Sequence, residues 1–435
     1  MGKKMIEQFF DLKQNKTTIK IEIFAAITSF LATAYIIVVN PTILANAGMS
    51  FPALVTSTIL VCAFSSIMMG LFANLPIIVA PGMGLNAFFA FSLVISKNVS
   101  YQVALGAVFW SGIIFLLLSL FKIREKIIDS IPDTLKKSIS CGIGLFISTI
   151  GLTNVGFIIP SKATIFTHGP MNLKIVIFLF GLAICSYLII KKNKAAFLIG
   201  MVVTTILAAV IGQFSGAEKL VNYNGLFALP DFSLLLQIDF LGSLKFSFIP
   251  VIFAFVFTDL FDSISTFVGV AEAANLKDGN GKPKNISKAL IADSISTTFS
   301  GLVGSSPGTG YIESAAGIAQ GGRTGLVAVI AGILFIPFLF LSPLISMIPS
   351  VATAPVLVIV GVYMMTPISK INWEDLEVAI PSFLAILLIP LSYSITNGII
   401  WGFLIYTIIK LMLGKYKELN LVLIGIDLFA ILSLV

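Results

Sequence analysis

The chain has 435 residues, of which 57% are hydrophobic and only 11% are charged. Soluble domains carry about 25% charged residues, so this composition excludes an ordinary soluble fold. The mean hydropathy is +1.05, and apolar runs of roughly twenty residues, the length that spans a bilayer as a helix, recur along almost the whole sequence. The net charge of +7 does not indicate a nucleic-acid partner, because the basic residues follow the predicted membrane topology. The scattered cysteines and single histidine predict neither a disulfide framework nor a metal site.

Fourteen apolar segments are predicted to cross the membrane. They lie near residues 21–40, 52–72, 76–95, 101–121, 137–157, 173–190, 195–213, 245–271, 287–303, 306–320, 323–342, 350–366, 378–394 and 396–413. The first follows a Lys-rich start without a small-residue cleavage site, which predicts a retained span and not a signal peptide. The last apolar stretch, residues 419–435, contains Asp427 and is predicted to be a helix on the inner membrane interface.

The basic residues predict the orientation of the chain. The N-terminus, the even-numbered loops and the tail hold 22 of the 27 Lys and Arg residues. Because short loops rich in Lys and Arg stay in the cytoplasm, both termini are predicted to be cytoplasmic. An even number of spans accounts for this asymmetry.

An internal repeat interrupts two of the spans. Span three contains Pro-Gly-Met-Gly at Pro81–Gly84, called here the first break, and span ten contains Pro-Gly-Thr-Gly at Pro307–Gly310, the second break. The two motifs are offset by 226 residues. Pro lacks an N–H donor and Gly tolerates non-helical backbone, so each break is predicted to start a half-helix. Matched breaks in two oppositely oriented seven-span halves indicate a transporter with its binding site at mid-membrane.

Polar side chains accompany these breaks. Asn86 follows the first break and Glu313 follows the second, while Asp259 and Asp262 lie three residues apart in span eight, on roughly one helix face. A charge at bilayer depth costs at least ~2.5–3.5 kcal/mol, so such acids usually serve a function. The repeat offset relates Asp259 to Thr33 in span one. For Asp262, direct contact with a ligand and a supporting hydrogen bond both remain open.

Three segments resemble a known family. They are Ala80–Asn86 (APGMGLN), Phe257–Ser263 (FTDLFDS) and the stretch SSPGTGYIESAAG that ends at Gly317. Together they are similar to the AzgA-like purine permeases of the nucleobase–cation symporter family, also called the nucleobase–ascorbate transporter group. The resemblance covers almost the whole chain.

The resemblance implies a fold and a division into domains. The fold would be an all-α polytopic membrane protein with 14 transmembrane segments in two inverted seven-span repeats, and with short strands in broken spans three and ten. A core domain would comprise residues 1–121 (spans 1–4) and 214–342 (the external loop and spans 8–11). A gate domain would comprise residues 122–213 (spans 5–7) and 343–435 (spans 12–14 and the interfacial helix). Members of the family often form homodimers in which the gates support moving cores.

The resemblance also implies roles for individual residues. Asp259 and Glu313 match the acids that bind the purine, Asn86 matches the polar residue of the span-three motif, and Asp262 matches a second acid needed for function. The expected substrate-binding set is completed by residues of the two breaks, namely Gly84, Thr309 and Gly310. Thr33, Asp262 and Asp259 are expected to support the site or to carry the coupled proton.

The predicted function is secondary active import of purine bases (adenine, guanine or hypoxanthine) through the cell membrane, by proton symport with alternating access. A carboxylate is a strong acceptor for the paired donors of such a base. No cofactor, metal or enzymatic activity is expected. An anion exchanger of the sulfate-permease type is an alternative on the same architecture, although acids in the site would repel its substrate. An intramembrane aspartyl enzyme is a remote alternative, because a catalytic dyad generally needs two facing elements. The preferred purine, and coupling to a proton or to sodium, stay open.

Overall fold

The computed structural model describes residues 2–121, 131–161, 164–214, 220–221, 225–273, 276 and 284–434. Parts of the basic clusters at residues 122–137 and 277–288, together with Lys162 and Lys219, lie outside the described residues. The described chain is mostly helical, with four short strands.

The first half of the chain contains nine helices and three strands in its described part. In order they are α1 Gly2–Phe9, α2 Ile19–Thr33, α3 Ile36–Leu44, α4 Phe51–Met68, β1 Val79–Pro81, α5 Met83–Ala87, α6 Tyr101–Leu120, α7 Asp133–Asn154, β2 Ile158–Pro160, β3 Phe166–His168, α8 Leu173–Ile190 and α9 Ala196–Phe214. Wider π-helical turns extend α4 through Met69–Ala73 and α5 through Phe88–Ile95.

The second half contains nine α-helices and one strand in its described part. In order they are α10 Ile249–Ala273, α11 Ile286–Val303, β4 Gly308–Gly310, α12 Ala315–Ile318, α13 Gly325–Phe335, α14 Ser342–Ser346, α15 Ser350–Met364, α16 Leu376–Leu391, α17 Ile395–Met412 and α18 Leu421–Leu434. A 3₁₀ turn at Ile312–Ser314 precedes α12.

The helices have the length and composition of a multi-pass membrane protein. Within the described residues, seven helices are long and apolar enough to cross a bilayer, and five shorter apolar helices accompany them. The prediction of fourteen crossings is not settled by these helices and stays a prediction. The first predicted span consists of two helices, α2 and α3, joined at Ala34 and Tyr35. At this joint the Ile37 and Val38 N–H groups donate to Ala34 O and Tyr35 O, three residues earlier in the chain.

The helices form two packed groups. In one group, α13 packs on α2 and α4, and α11 packs on α4 and α6. In the other group, α7 packs on α15 and α16, α8 packs on α9 and α15, and α16 packs on α17. The groups meet where α5 contacts α7 and where α9 contacts α2.

The two breaks meet as a short antiparallel ladder. Strand β1 pairs with β4 in the register Val79↔Gly310, Ala80↔Thr309 and Pro81↔Gly308. The ladder continues on both sides, because the Tyr311 N–H donates to Ile78 O at 2.9 Å and the Gly82 N–H donates to Pro307 O at 2.9 Å. Antiparallel pairs alternate between bonded and non-bonded. The pairs Val79↔Gly310 and Pro81↔Gly308 therefore direct their backbone polar groups away from the partner strand.

Side-chain hydroxyls satisfy outward-facing groups of this ladder. Ser66 of α4 accepts from the Val79 N–H at 3.0 Å and donates to Val79 O at 3.1 Å. Tyr311 donates to Pro81 O, and Thr297 of α11 donates to Gly308 O at 3.3 Å. Pro81 has no N–H to satisfy, which suits a position that faces out of the ladder. Non-helical backbone at membrane depth is tolerated only where it is buried in protein or lines a water-filled cavity, and here protein covers it.

We expect Ser66→Ala to destabilise the protein, because it removes the partner of both outward-facing backbone groups of Val79. Each buried group left without a partner costs about 1–3 kcal/mol. The thermal midpoint of the purified protein in detergent should fall measurably.

Ser57→Ala is the matched control on the same helix. Ser57 is 2% exposed, but its hydroxyl donates to Leu54 O of its own helix, so its loss leaves no strand group without a partner. Equal midpoint shifts for the two variants would show that Ser66 has no special role at the ladder.

Candidate functional site

Glu313 lies directly after the second break and is paired with a tyrosine. Strand β4 ends at Gly310, and the 3₁₀ turn that follows carries Glu313 in its centre. The Tyr35 hydroxyl donates to Glu313 Oε1 at 2.7 Å. Tyr35 is fully buried at the joint between α2 and α3. The interruption of span one thus supplies a donor to the acid that follows the second break.

Asp259 is held by two hydroxyls in the interior of the helix bundle. It is 1% exposed, and the Thr297 hydroxyl donates to its Oδ2 at 2.7 Å. The Ser263 hydroxyl, one turn along α10, donates to Oδ1 at 3.3 Å. Because the Thr297 hydroxyl also reaches Gly308 O, it joins Asp259 to strand β4.

Asp262 contacts the same strand. The Thr309 hydroxyl donates to Asp262 Oδ2 at 3.4 Å, and the Asp262 and Glu313 carboxylates lie close enough to interact electrostatically. All three acids are therefore connected to β4. Thr297 links Asp259 to the strand, and Thr309 of the strand donates to Asp262. Glu313 follows the strand directly in the chain. The structure thus gathers the three acids that the sequence singled out around one three-residue strand.

The side-chain donors named above for these acids are neutral hydroxyl groups. A hydroxyl can donate to a carboxylate and can accept from a protonated carboxyl group, so it serves both protonation states. Lys and Arg only donate and would hold an acid in its charged state. In the part of the chain that the structure describes, neither Asp262 nor Glu313 has a Lys or Arg partner. A hydroxyl partner is thus compatible with either protonation state of the acid that it contacts.

Asn86 lies in the first turn of α5, at the opposite end of the ladder from Glu313. Its backbone N–H donates to Gly82 O at 2.9 Å, which closes the first turn after the break. The side chain is fully buried, and among the described residues its Oδ1 accepts no hydrogen bond. A buried acceptor without a donor costs about 1–3 kcal/mol. Asn86 Oδ1 is therefore available to the N–H of a ligand.

Glycines of both breaks permit close packing. A Cβ atom at Gly84 would lie 2.6 Å from Ile143 Cγ2 of α7, and one at Gly310 would lie 2.5 Å from Phe267 Cε1 of α10. Real Cβ atoms essentially never approach so closely. Gly84 thus brings the first half-helix against the second packed group of helices, and Gly310 brings β4 against the helix that carries Asp259.

Aromatic rings surround the Tyr35–Glu313 pair. The Tyr35 ring lies edge-on to Phe197 of α9 with centroids 4.9 Å apart, and Phe197 in turn contacts Tyr363 of α15 at 6.3 Å. The ring centroids of Tyr311 and Tyr35 lie 6.5 Å apart. Planar rings of this kind can stack on a flat heterocycle. Phe197 and Tyr363 belong to the second packed group, so this cluster connects the two groups.

Most residues that the sequence singled out lie at or beside the ladder. Thr33 differs, because its hydroxyl donates within its own helix, to Ser29 O at 2.9 Å and Phe30 O at 3.2 Å. Sequence reasoning missed Tyr35, although it lies only two positions after Thr33. It also missed Thr297. The sequence feature that could have indicated Thr297 is a run of hydroxyl residues in span nine, comprising Ser294, Ser296, Thr297, Thr298 and Ser300.

Comparison with known proteins gives a family and close relatives. The model of the Permease family (Xan_ur_permease) matches residues 20–401. The adenine permease AdeP of Escherichia coli (strain K12) is 41% identical over 437 residues, which cover 100% of this chain and 97% of AdeP. The guanine/hypoxanthine permease PbuO of Bacillus subtilis (strain 168) is 40% identical over 421 residues, which cover 94% of this chain and 96% of PbuO.

The fold is shared with a solved transporter structure. The transmembrane domain of the cyanobacterial bicarbonate transporter BicA superposes with a TM-score of 0.68 at 18% sequence identity. The match covers 88% of this chain and 97% of that domain. At this level of identity the likeness concerns the fold alone.

We expect Gly84→Ala to destabilise the protein, because the new methyl group would collide with Ile143. Overpacking of this kind costs about 1–3 kcal/mol. Thermal midpoints of Gly84→Ala, Ile143→Ala and the double variant form a double-mutant cycle. The double variant should lose less stability than the two single losses combined, since the smaller side chain leaves room for the new methyl group. Strictly additive losses would mean that α5 and α7 do not meet at this point.

Proposed function

The chain belongs to the Permease family, within its AzgA-like purine permease group, and from this premise we propose that it imports purine nucleobases across the cell membrane. It is a membrane permease and not an enzyme. The proposal rests on the meeting of the two breaks in one ladder. The Glu313 carboxylate lies at one end of this ladder, and at the other end lies the buried Asn86 Oδ1, which has no donor among the described residues. This arrangement lies inside a bundle of apolar helices.

The chemistry of this junction suits a flat, uncharged base. Glu313 offers a carboxylate to ring N–H or exocyclic amino groups, and charge-assisted bonds of this type are the stronger class of hydrogen bond. Asn86 Oδ1 offers a second acceptor, and the aromatic cluster around Tyr35 offers surfaces for stacking. Adenine, guanine and hypoxanthine all present at least one ring N–H together with ring nitrogen acceptors. The names of the relatives AdeP and PbuO point to the same class of substrate.

We further propose that a proton accompanies the base. Asp259 is the candidate carrier, since it is buried and its hydroxyl partners can serve a charged or a neutral carboxyl group. Asp262 and Thr33 would support the site. The coupled proton would enter from outside and leave to the cytoplasm as the site alternates in access.

The two packed groups of helices are proposed to act as core and gate. The core would comprise residues 1–121 and 214–342, with both breaks and all three acids. The gate would comprise residues 122–213 and 343–435, with α7, Phe197 and Tyr363. Fourteen crossings in two inverted repeats, cytoplasmic termini and a homodimer held through the gates complete the proposal. Movement of the core along the gate would then carry the site from one side to the other.

Anion exchange is the weaker candidate. The likeness to the BicA domain concerns the fold, and at this junction three carboxylates gather around the strand where an anion would have to bind. Asp259 and Asp262 lie on one helix, so they do not form a facing catalytic pair.

We expect uptake of radiolabelled hypoxanthine by cells that express the protein to be inhibited by unlabelled adenine or guanine, and far less by uracil. A protonophore should abolish accumulation above the outside concentration. Cells that carry the empty vector provide the background. Inhibition by sulfate or bicarbonate with no inhibition by purines would contradict the proposal in favour of anion exchange.

We expect Asp259→Asn to abolish accumulation driven by the proton gradient, because the amide cannot bind and release a proton. The protein should still insert into the membrane at normal levels, as measured by immunoblot of the membrane fraction. Asp133→Asn provides the control, because Asp133 is a surface acid paired with Lys136. Undiminished uphill transport by Asp259→Asn would reject Asp259 as the proton carrier.

A further inference from the structure

Thr297 has one hydroxyl hydrogen and two acceptors within reach. Its Oγ1 lies 2.7 Å from Asp259 Oδ2 and 3.3 Å from Gly308 O. The side chain is fully buried and extends from α11 between helix α10 and strand β4. A hydroxyl carries a single hydrogen. Thr297 can therefore donate fully to the acid or to the strand, but not to both at once.

The Gly308 carbonyl depends on a donor from outside the ladder. Its register partner Pro81 has no N–H, and the pair lies at a non-bonded position of the ladder. A Cβ atom at Gly308 would lie 2.2 Å from Ser296 Oγ, so only glycine lets the strand approach α11 this closely. The Thr297 hydroxyl is the donor that this carbonyl meets on the surface of α11.

The protonation state of Asp259 decides which acceptor receives the hydrogen. A charged Asp259 is the stronger acceptor, because bonds to an ionised group are about twice as strong as neutral ones. A protonated Asp259 can instead donate its own proton to Thr297 Oγ1. The Thr297 hydrogen is then free to turn to Gly308 O. No bond other than these hydrogen bonds changes, and the only proton gained is the one on Asp259.

We infer that Thr297 is a positioning residue that transmits the protonation state of Asp259 to the second break. When Asp259 is protonated, Thr297 holds β4 against α11 through Gly308 O. When the proton leaves, Thr297 turns to the carboxylate and β4 loses this donor. Because β4 leads directly to Glu313, proton release changes the support of the strand next to the substrate acid. This inference rests on the proposed function, since it assumes that Asp259 carries the coupled proton.

Titratable groups on the helix of Asp259, on elements packed against it or β4, and at the Tyr35–Glu313 contact must be considered when the protonation of Asp259 is read from pH dependence. They are Asp262 on its own helix, Asp293 on α11, Glu313 and Tyr311 after β4, Tyr35 between α2 and α3, Cys62 on α4, Tyr101 on α6 and Asp427 on α18. None of these residues is changed in the variants below, so their contribution is the same in every sample.

The test uses the full-length protein in cells and replaces Thr297 by Val, which keeps the shape of the side chain and removes the hydroxyl. Thr297→Val should lose proton-driven accumulation of hypoxanthine, and its uptake should no longer depend on external pH. It should retain exchange of external labelled hypoxanthine for internal unlabelled hypoxanthine, which needs no net proton movement. Thr297→Ser keeps the hydroxyl and should restore both accumulation and pH dependence.

Thr298→Val is the matched control at the next position. The Thr298 hydroxyl donates to Ser294 O of its own helix, so accumulation should persist after its removal. Three results would each overturn the inference. Thr297→Val could accumulate hypoxanthine normally, the Val and Ser variants at 297 could show equal defects, or Thr297→Val could lose exchange along with accumulation. Absence of proton-dependent purine uptake in the unmodified protein would instead refute the proposed function itself.

Discussion

The structure depends on one constraint, which is that backbone removed from helices in the middle of a membrane must still find hydrogen-bond partners. The two strands satisfy part of this need by pairing with each other. The remainder is met by hydroxyl groups of Ser66, Tyr311 and Thr297. Without these donors and acceptors, each orphaned group would cost about 1–3 kcal/mol. Helices α4 and α11, together with Tyr311, therefore support the non-helical junction.

The same chemistry extends from the backbone to the acids. Each of the three carboxylates accepts a hydrogen bond from a neutral hydroxyl group, which belongs to Thr297, Thr309 or Tyr35. A cation in their place would stabilise the charged form and oppose protonation. Hydroxyl partners provide hydrogen bonds in either protonation state, which the proposed binding of an uncharged base together with a proton would require. Hydroxyl groups therefore bind both the outward-facing backbone of the strands and the three acids.

The sequence predicts the spans and the breaks of this architecture, but not the partners of the acids. Span positions follow from hydropathy because lipid demands long apolar helices, and predicted segments such as 173–190 coincide with the observed helices. The paired breaks can be predicted from Pro and Gly, because the effect of these residues on backbone conformation does not depend on distant contacts. The partners of the acids could not be predicted in the same way. Tyr35 meets Glu313 across 278 residues, and the direction of a hydroxyl on an apolar helix depends on packing that periodicity does not encode.

The most direct test of this account is a structure determined with a bound purine base. We expect the base to lie between the two half-helices, with one N–H group donating to the Glu313 carboxylate and a second donor on Asn86 Oδ1. The aromatic rings of the Tyr35 cluster should flank it. A base bound elsewhere, or a base that contacts neither Glu313 nor Asn86 at this junction, would contradict the account.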